Sequence, residues 1–470
     1  MAYKWRLFWV GDGGVPAADR PVAGWEDLEA RERALGLRER QPILVSPEGR
    51  VDPRLSECFR RSAFSAKAQG TQLTYAPIYR LFFTFLWQRG LDWDEASEED
   101  VEDWEAWRRR GAENPAPVGG GTWAKELAAL KLLYDIAAGH GFVPANPVTL
   151  PVPSDVKSSD VKWLSPRAFR LWRNVGLGGM LPSGLEDEGW RGRCSGRDTA
   201  FADLLYSSGV RRREGGTLLT CELPALGHRN YYAGKVGQAV AKRAGYTFYV
   251  GHPALQRIEG YRMSTRALAV NRARARGVYD RLPGLRVIRE VTRAGRVYWT
   301  SRDGGVGESA LGRLTAAERM RLFVDDEDGL EPAMLWLTES GLPMEYASWT
   351  KVFERASDRC ADAGLEVFAT PKMLRHSMAL RMLIALHNAL DRRLGLTPAQ
   401  RLHYEEVYGQ VWLMVKDMLG HRSEQVTRDV YLEPVRGLQL ESLLNDDDNP
   451  VNAEKIAELA ERTGLILDAA

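Results

Sequence analysis

Residues 370–383 read TPKMLRHSMALRML. Thr370 is placed to cap free amides, and Pro371 to take the first helical position, where its missing N–H costs nothing. The pair predicts a helix start. Lys372, Arg375 and His376 follow at spacings of three and four and share one face of the first turns. A helix N-terminus is already partly positive, so cations there are mildly unfavourable unless an anion joins them. Ala379, Leu383 and Leu386 continue the same face as an apolar stripe that runs into a core. The stretch therefore reads as an anion site at the start of a partly buried helix.

Working outward, the chain of 470 residues is long enough for two or three domains with real cores, and 44% hydrophobic with 27% charged residues is a soluble, globular composition. No apolar run reaches membrane-spanning length, and MAYKWRLFWVGDGG lacks the length and cleavage site of a signal peptide. These features predict a cytoplasmic protein without a membrane partner. Cys58, Cys194, Cys221 and Cys360 lie far apart with no Cys-x-x-Cys pair, and the seven histidines show no ligand spacing. Neither a disulfide framework nor a metal is expected, and no cofactor.

The net charge of +1 conceals strong segregation. Residues 92–105 hold nine acids and no base, and residues 323–331 hold five acids and no base. Against these, residues 255–302 contain twelve arginines and three acids, and residues 54–90 six bases and one acid. Any one run is ordinarily a solvated face, but segregation on this scale favours an anionic polymer as partner. Arg60, Arg61, Lys67 and Arg80 in the first basic run, and Arg257, Arg262 and Arg266 in the second, are the candidate phosphate contacts.

Periodicity divides the chain into an arm, a helical domain and a larger mixed domain. Residues 1–53 carry Gly and Pro breaks and suggest no role. Residues 54–145 hold three amphipathic stretches, QLTYAPIYRLFFTFLWQRG, EEDVEDWEAWRRR and TWAKELAALKLLYDIAAGHG, which predict a small helical bundle. Residues 146–166 are rich in Pro and Ser and read as a linker. Beyond it, in residues 167–445, helices alternate with strand candidates such as YTFYV and RVYWT, and 446–470 form a tail with the helix-like AEKIAELAERTG. The glycine-rich DGGVG and VGGG lack the strand-turn-helix setting of a phosphate loop and read as turns.

Four separated pieces of the mixed domain now align. YSSGVRRREGG places Arg211 after an apolar helix with Glu214 three residues on; AVAKRAGYTFYVGHPALQRIEGY places Lys242 before a strand; the opening stretch supplies Lys372, Arg375 and His376; VWLMVKDMLGHRSEQVTRDVYLEP places His421 at a helix break and Tyr431 ten residues later. Each alone is weak, since an arginine after a helix is usually a surface residue and a buried tyrosine usually core. The order R-x-x-E, K, x-x-x-L-R-H, L-G-H, Y resembles the tyrosine recombinase, or phage integrase, family over roughly residues 54–445. Arg212 or Arg213 would replace Arg211 if the turn were shifted, and Lys235, in YYAGKVGQ, competes with Lys242.

The resemblance implies a mainly α fold with a smaller β component: a helical SAM-like core-binding domain and a mixed α/β catalytic domain closing as a clamp on double-stranded DNA. It implies a site-specific recombinase that cleaves and rejoins DNA through a 3′-phosphotyrosine intermediate, with Tyr431 as nucleophile. Arg211 and Arg375 would hold the scissile phosphate, since each planar guanidinium can grip two oxygens and keeps its charge. Lys242 would protonate the leaving 5′ hydroxyl and His421 would hydrogen-bond the phosphate, with Glu214 and His376 orienting their neighbours. A homotetramer on paired sites, an accessory or directionality factor and an exchanged C-terminal tail also follow from the resemblance. There are departures. Lys372 stands where the family usually has His, the step from His421 to Tyr431 is a residue longer than usual, and residues 391–410 form an insertion. A DNA-binding accessory protein without strand cleavage and a type IB topoisomerase-like nicking-closing enzyme are the alternative readings.

Overall fold

The computed structural model describes residues 4–10, 41–60, 63–152, 162–242, 244–394, 404–421, 423–425 and 427–428. The chain is mainly α with a smaller β component, and it divides into two compact units, Met1–Ser158 and Ser159–Ala470.

The first unit opens with an antiparallel pair, β1 (Arg6–Trp9) and β2 (Pro42–Val45), and continues with α1 (Pro53–Arg60), α2 (Gln69–Gln88), α3 (Glu98–Arg110) and α4 (Gly120–Gly139). The N-terminal segment is thus partly built into the helical unit: Trp5 is buried, and its N–H donates to Thr84 Oγ1 of α2 at 3.2 Å. Helix α3 starts where Ser97 and Asp100 hydrogen-bond each other's amides. Its first turn is acidic and its last turn is Arg108–Arg109–Arg110, in the sense that the helix dipole favours. Part of the acidic run is therefore helix-start chemistry. Tyr79, Trp93, Trp104, Trp123 and Tyr134 fill the core, and Arg108 reaches the nearly buried Glu126 at 2.5 Å to tie α3 to α4.

The second unit contains α5 (Pro166–Trp172), α6 (Ser195–Ser208) and the short α7 (Arg212–Gly216), then the hairpin β3 (Tyr231–Val236) and β4 (Tyr246–Gly251). Helices α8 (His252–Tyr261) and α9 (Ala267–Ala275) follow. Next comes a sheet of β5 (Arg286–Val291), β6 (Arg296–Ser301), β7 (Val306–Ala310), β8 (Leu322–Asp326) and β9 (Gly329–Pro332), with α10 (Ala316–Met320) between β7 and β8. The sheet order is β7-β6-β5-β8-β9, and β5 runs parallel to β8. The two strand candidates of the sequence lie in β4 and β6. DGGVG forms the turn from β6 to β7 and the start of β7, while VGGG ends at the start of α4.

Helix α11 (Trp349–Asp362), then α12 (Pro371–Leu394) and α13 (Tyr404–Leu419), follow. Phe201 stacks on Trp349 with ring centroids 3.6 Å apart, and Trp172, Trp336 and Phe353 pack around them. Leu380 and Leu383 of α12 meet Val411, Trp412 and Val415 of α13, so the residues flanking the insertion form a helix pair with its own core. The segment expected as a linker has packed ends. Val148 is buried in the first unit and Trp163 and Leu164 in the second, where Ser165 caps α5; residues 153–161 lie outside the described residues. Among the described residues no helix is long and apolar enough to cross a membrane.

Candidate active site

Helix α6 stops because Gly209 takes a left-handed conformation (φ 66°) that only glycine adopts without cost. The chain reverses through buried Val210 and delivers Arg211 to the entry of α7. The Arg211 N–H donates to Glu214 Oε2 at 2.7 Å, and Arg211 Nη1 donates to Oε1 at 2.8 Å. Glu214 is 2% exposed whereas Arg211 keeps 27% of its side chain in solvent. The three-residue spacing places one carboxylate against both a backbone and a guanidinium donor, which fixes the arginine's direction.

A second carboxylate contact comes from β4, where the Tyr246 hydroxyl donates to Glu214 Oε2 at 2.6 Å. Burial, reinforced by the Glu214 carboxylate, pushes this phenol far above its ordinary range, and the positive charges of Arg375 and Arg211 offset part of the rise. Tyr246 is therefore in the field of both arginines. Sequence reasoning did not select it. The signal available was alternation: Phe248 and Val250 are buried, so Tyr246 shares their face and its hydroxyl needs an acceptor there.

The opening stretch starts a helix as its residues require, with the Met373 N–H donating to Thr370 Oγ1 at 3.2 Å. Its first face is split. Lys372 is exposed, but Arg375 is 6% exposed and its two terminal nitrogens donate to the carbonyls of Gly209 and Leu419, each at 2.5 Å. These carbonyls end α6 and α13, where helix dipoles are negative. The anion-like partner of Arg375 is thus first of all the C-terminal ends of two helices. His376 is partly buried between Lys372 and Arg375; burial and then these two charges lower its pKa to about 4.

The Leu-Gly-His turn closes the arrangement. Gly420 has φ 59°, and a Cβ there would stand 2.7 Å from Tyr246 Cδ1. The position needs glycine for conformation and for space. The His421 N–H returns to the Lys416 carbonyl, and its Nδ1 lies 2.8 Å from the Oγ1 of buried Thr427. Four separated segments thus bring together Arg211, Glu214, Tyr246, Arg375 and the Gly420–His421 turn. Lys242 is exposed in the connection between β3 and β4, and Lys235 is exposed on β3 opposite Thr247. Tyr431 and the tail 446–470 lie outside the described residues.

The candidate DNA contacts divide. Arg266 requires correction: it is 3% exposed, and its guanidinium donates to the carbonyls of Pro332, Met334 and Leu335 and reaches Glu331. It clamps the strand-to-loop passage after β9 and presents no charge to a ligand. Arg257 shares buried Asp203 with Arg173, Arg262 pairs with Glu259, and Arg60 pairs with Glu57. Lys67 and Arg80 are exposed, and Arg61 lies outside the described residues.

No family model and no curated protein matches the chain. Solved structures similar to it include the XerH site-specific recombinase bound to palindromic difH substrate in a post-cleavage complex. That match has 12% identity and a TM-score of 0.47, over 84% of this chain and 89% of that one. The Tn1549 transposon integrase in complex with a circular intermediate DNA is similar at 13% identity and a TM-score of 0.44, over 83% of this chain and 98% of that one. A lambda integrase dimer bound to a COC' core site is similar at 11% identity and a TM-score of 0.40, over 85% of this chain and 79% of that one.

Proposed function

We propose that the protein is a site-specific DNA recombinase of the tyrosine class, breaking and rejoining a phosphodiester without metal or nucleotide. The observation that carries this reading is Arg211 held on the buried Glu214 carboxylate, which also takes the Tyr246 hydroxyl, with the Gly420–His421 turn against the Tyr246 ring and buried Arg375 tied to the carbonyls of Gly209 and Leu419 that end α6 and α13. Charge developing on the non-bridging oxygens of an attacked phosphate needs such preorganised cations. Arg211, oriented yet partly exposed, is the group best placed to meet it, and Arg375 adds a buried positive field. Tyr431 is the proposed nucleophile, storing the bond energy as a 3′-phosphotyrosine so that rejoining needs no external energy. Lys242 protonates the leaving 5′ hydroxyl, His421 hydrogen-bonds the phosphate, and Lys372 adds charge where relatives use histidine. Integration, excision or transposition of a mobile element by a tetramer on paired sites is the biological form of this chemistry.

One observation favours a second reading, a DNA-binding accessory protein that no longer cleaves. The terminal nitrogens of Arg375 already donate to two main-chain carbonyls. The deciding experiment incubates the protein and its Tyr431→Phe variant, without divalent metal, with nicked suicide duplexes drawn from the DNA flanking the gene. A denaturation-resistant protein–DNA adduct formed by wild type alone is the expected result. Specific binding with no adduct at any salt concentration replaces the recombinase with the accessory protein. Relaxation of supercoils with no preferred site replaces it with the topoisomerase-like enzyme.

A further inference from the structure

Tyr246 is the residue at which three parts of the site meet. Its hydroxyl occupies Glu214 Oε2, the oxygen that also takes the Arg211 N–H, while Oε1 of the same carboxylate takes the Arg211 guanidinium. Its ring lies against Gly420, close enough that no side chain fits between them. It is also the first residue of β4, paired with Val236 of β3, so it terminates the connection that carries Lys242. A carboxylate held by one arginine alone can rotate with it. Here a third donor, anchored in the sheet, removes that freedom.

The phenol's proton is directed at the Glu214 carboxylate, and burial with that negative charge beside it holds the hydroxyl protonated. It remains a permanent donor. We infer that Tyr246 is a positioning residue: it fixes Glu214, and through Glu214 the guanidinium of Arg211, at the angle from which Arg211 meets the phosphate, while its ring sets the Gly420–His421 turn. The inference rests on the recombinase reading for its reaction, but the geometry it describes is an anion-holding one in either case.

Tyr246→Phe removes only the hydroxyl and keeps the ring against Gly420. With a nicked suicide duplex, single-turnover adduct formation should slow by roughly 10- to 100-fold, the worth of one charge-assisted hydrogen bond, with DNA affinity unchanged. Because the defect acts through Arg211, it should shrink when a neutral methylphosphonate replaces the scissile phosphate. Glu214→Gln should slow the reaction too, and the double variant should be no slower than the worse single one. A wild-type rate in Tyr246→Phe, or losses that multiply in the double variant, overturns the inference and leaves the recombinase standing. If wild type forms no adduct, the recombinase reading fails and inorganic phosphate decides the inference. The thermal stabilisation by phosphate that Arg211→Ala lacks should be mostly lost in Tyr246→Phe and in Glu214→Gln. Full retention of that increment, or no increment traceable to Arg211, overturns it.

Discussion

At the scale of single residues, the site is decided by where each positive charge finds its negative partner. Arg211 has a buried carboxylate, Arg375 two helix-end carbonyls, and Arg266 three loop carbonyls. His376 answers to burial and to Lys372 and Arg375, which make its neutral state the less costly one. Its folded pKa of about 4 lies below the ordinary value near 6.5, so the unfolded chain binds the proton first as pH falls. Stability is therefore unaffected by this group above about pH 6.5 and is lost progressively down to pH 4, by on the order of 3 kcal/mol in all. His376→Asn, which cannot titrate, should flatten the fall in urea midpoint across that window relative to wild type. An unchanged slope would mean that His376 titrates normally.

At the scale of elements, two glycines end two helices and differ in what surrounds them. Both Gly209 and Gly420 are left-handed. A Cβ at Gly209 would meet the flexible ends of Met378 and Leu419 at 3.1–3.3 Å, whereas one at Gly420 would meet the Tyr246 ring at 2.7 Å. That ring is tethered through its hydroxyl to Glu214 and cannot swing aside freely. Gly209→Ala should cost about 1 kcal/mol, the usual penalty for a left-handed alanine, and Gly420→Ala about 2–3 kcal/mol, read from urea midpoints at constant m. Equal costs would show that Tyr246 yields. Element-level features were legible where the cause is local: the Thr370 cap and the Arg211–Glu214 spacing are readable within a few residues. Strands β7 (VGESA) and β8 (LFVDD) were not, because small and acidic residues obscure their alternation and pairing with distant partners decides them. Tyr246 stayed hidden for the same reason, its acceptor being far away in sequence.

At the scale of the whole molecule, a count of arginines overstates the surface available to a polyanion. The run at 255–302 reads as one basic stripe, yet Arg266 is sealed inside and Arg257 shares buried Asp203 with Arg173. Residue type and spacing are the same for a clamp and a contact, so only the fold separates them. Arg80→Ala should weaken DNA binding uniformly across sequences and lower the slope of log affinity against log salt by about 1. Arg266→Ala should instead unfold the second unit at lower urea while leaving the slope of the surviving folded protein unchanged. A reduced slope in Arg266→Ala would return that residue to the binding surface.

The two carbonyls that hold Arg375 have a further consequence, in the order in which the chain is made. One is supplied by Gly209, well before Arg375 leaves the ribosome; the other, from Leu419, emerges after it. Until α13 has been synthesised and has docked, Arg375 lacks one of its acceptors, and the Gly420 turn that closes on Tyr246 does not exist. A nascent or C-terminally truncated chain therefore carries Arg211 and Glu214 without a completed site. Residues 209–246, although made first, thus wait for residues 419 and 420 before the second acceptor of Arg375 and the turn against Tyr246 are in place.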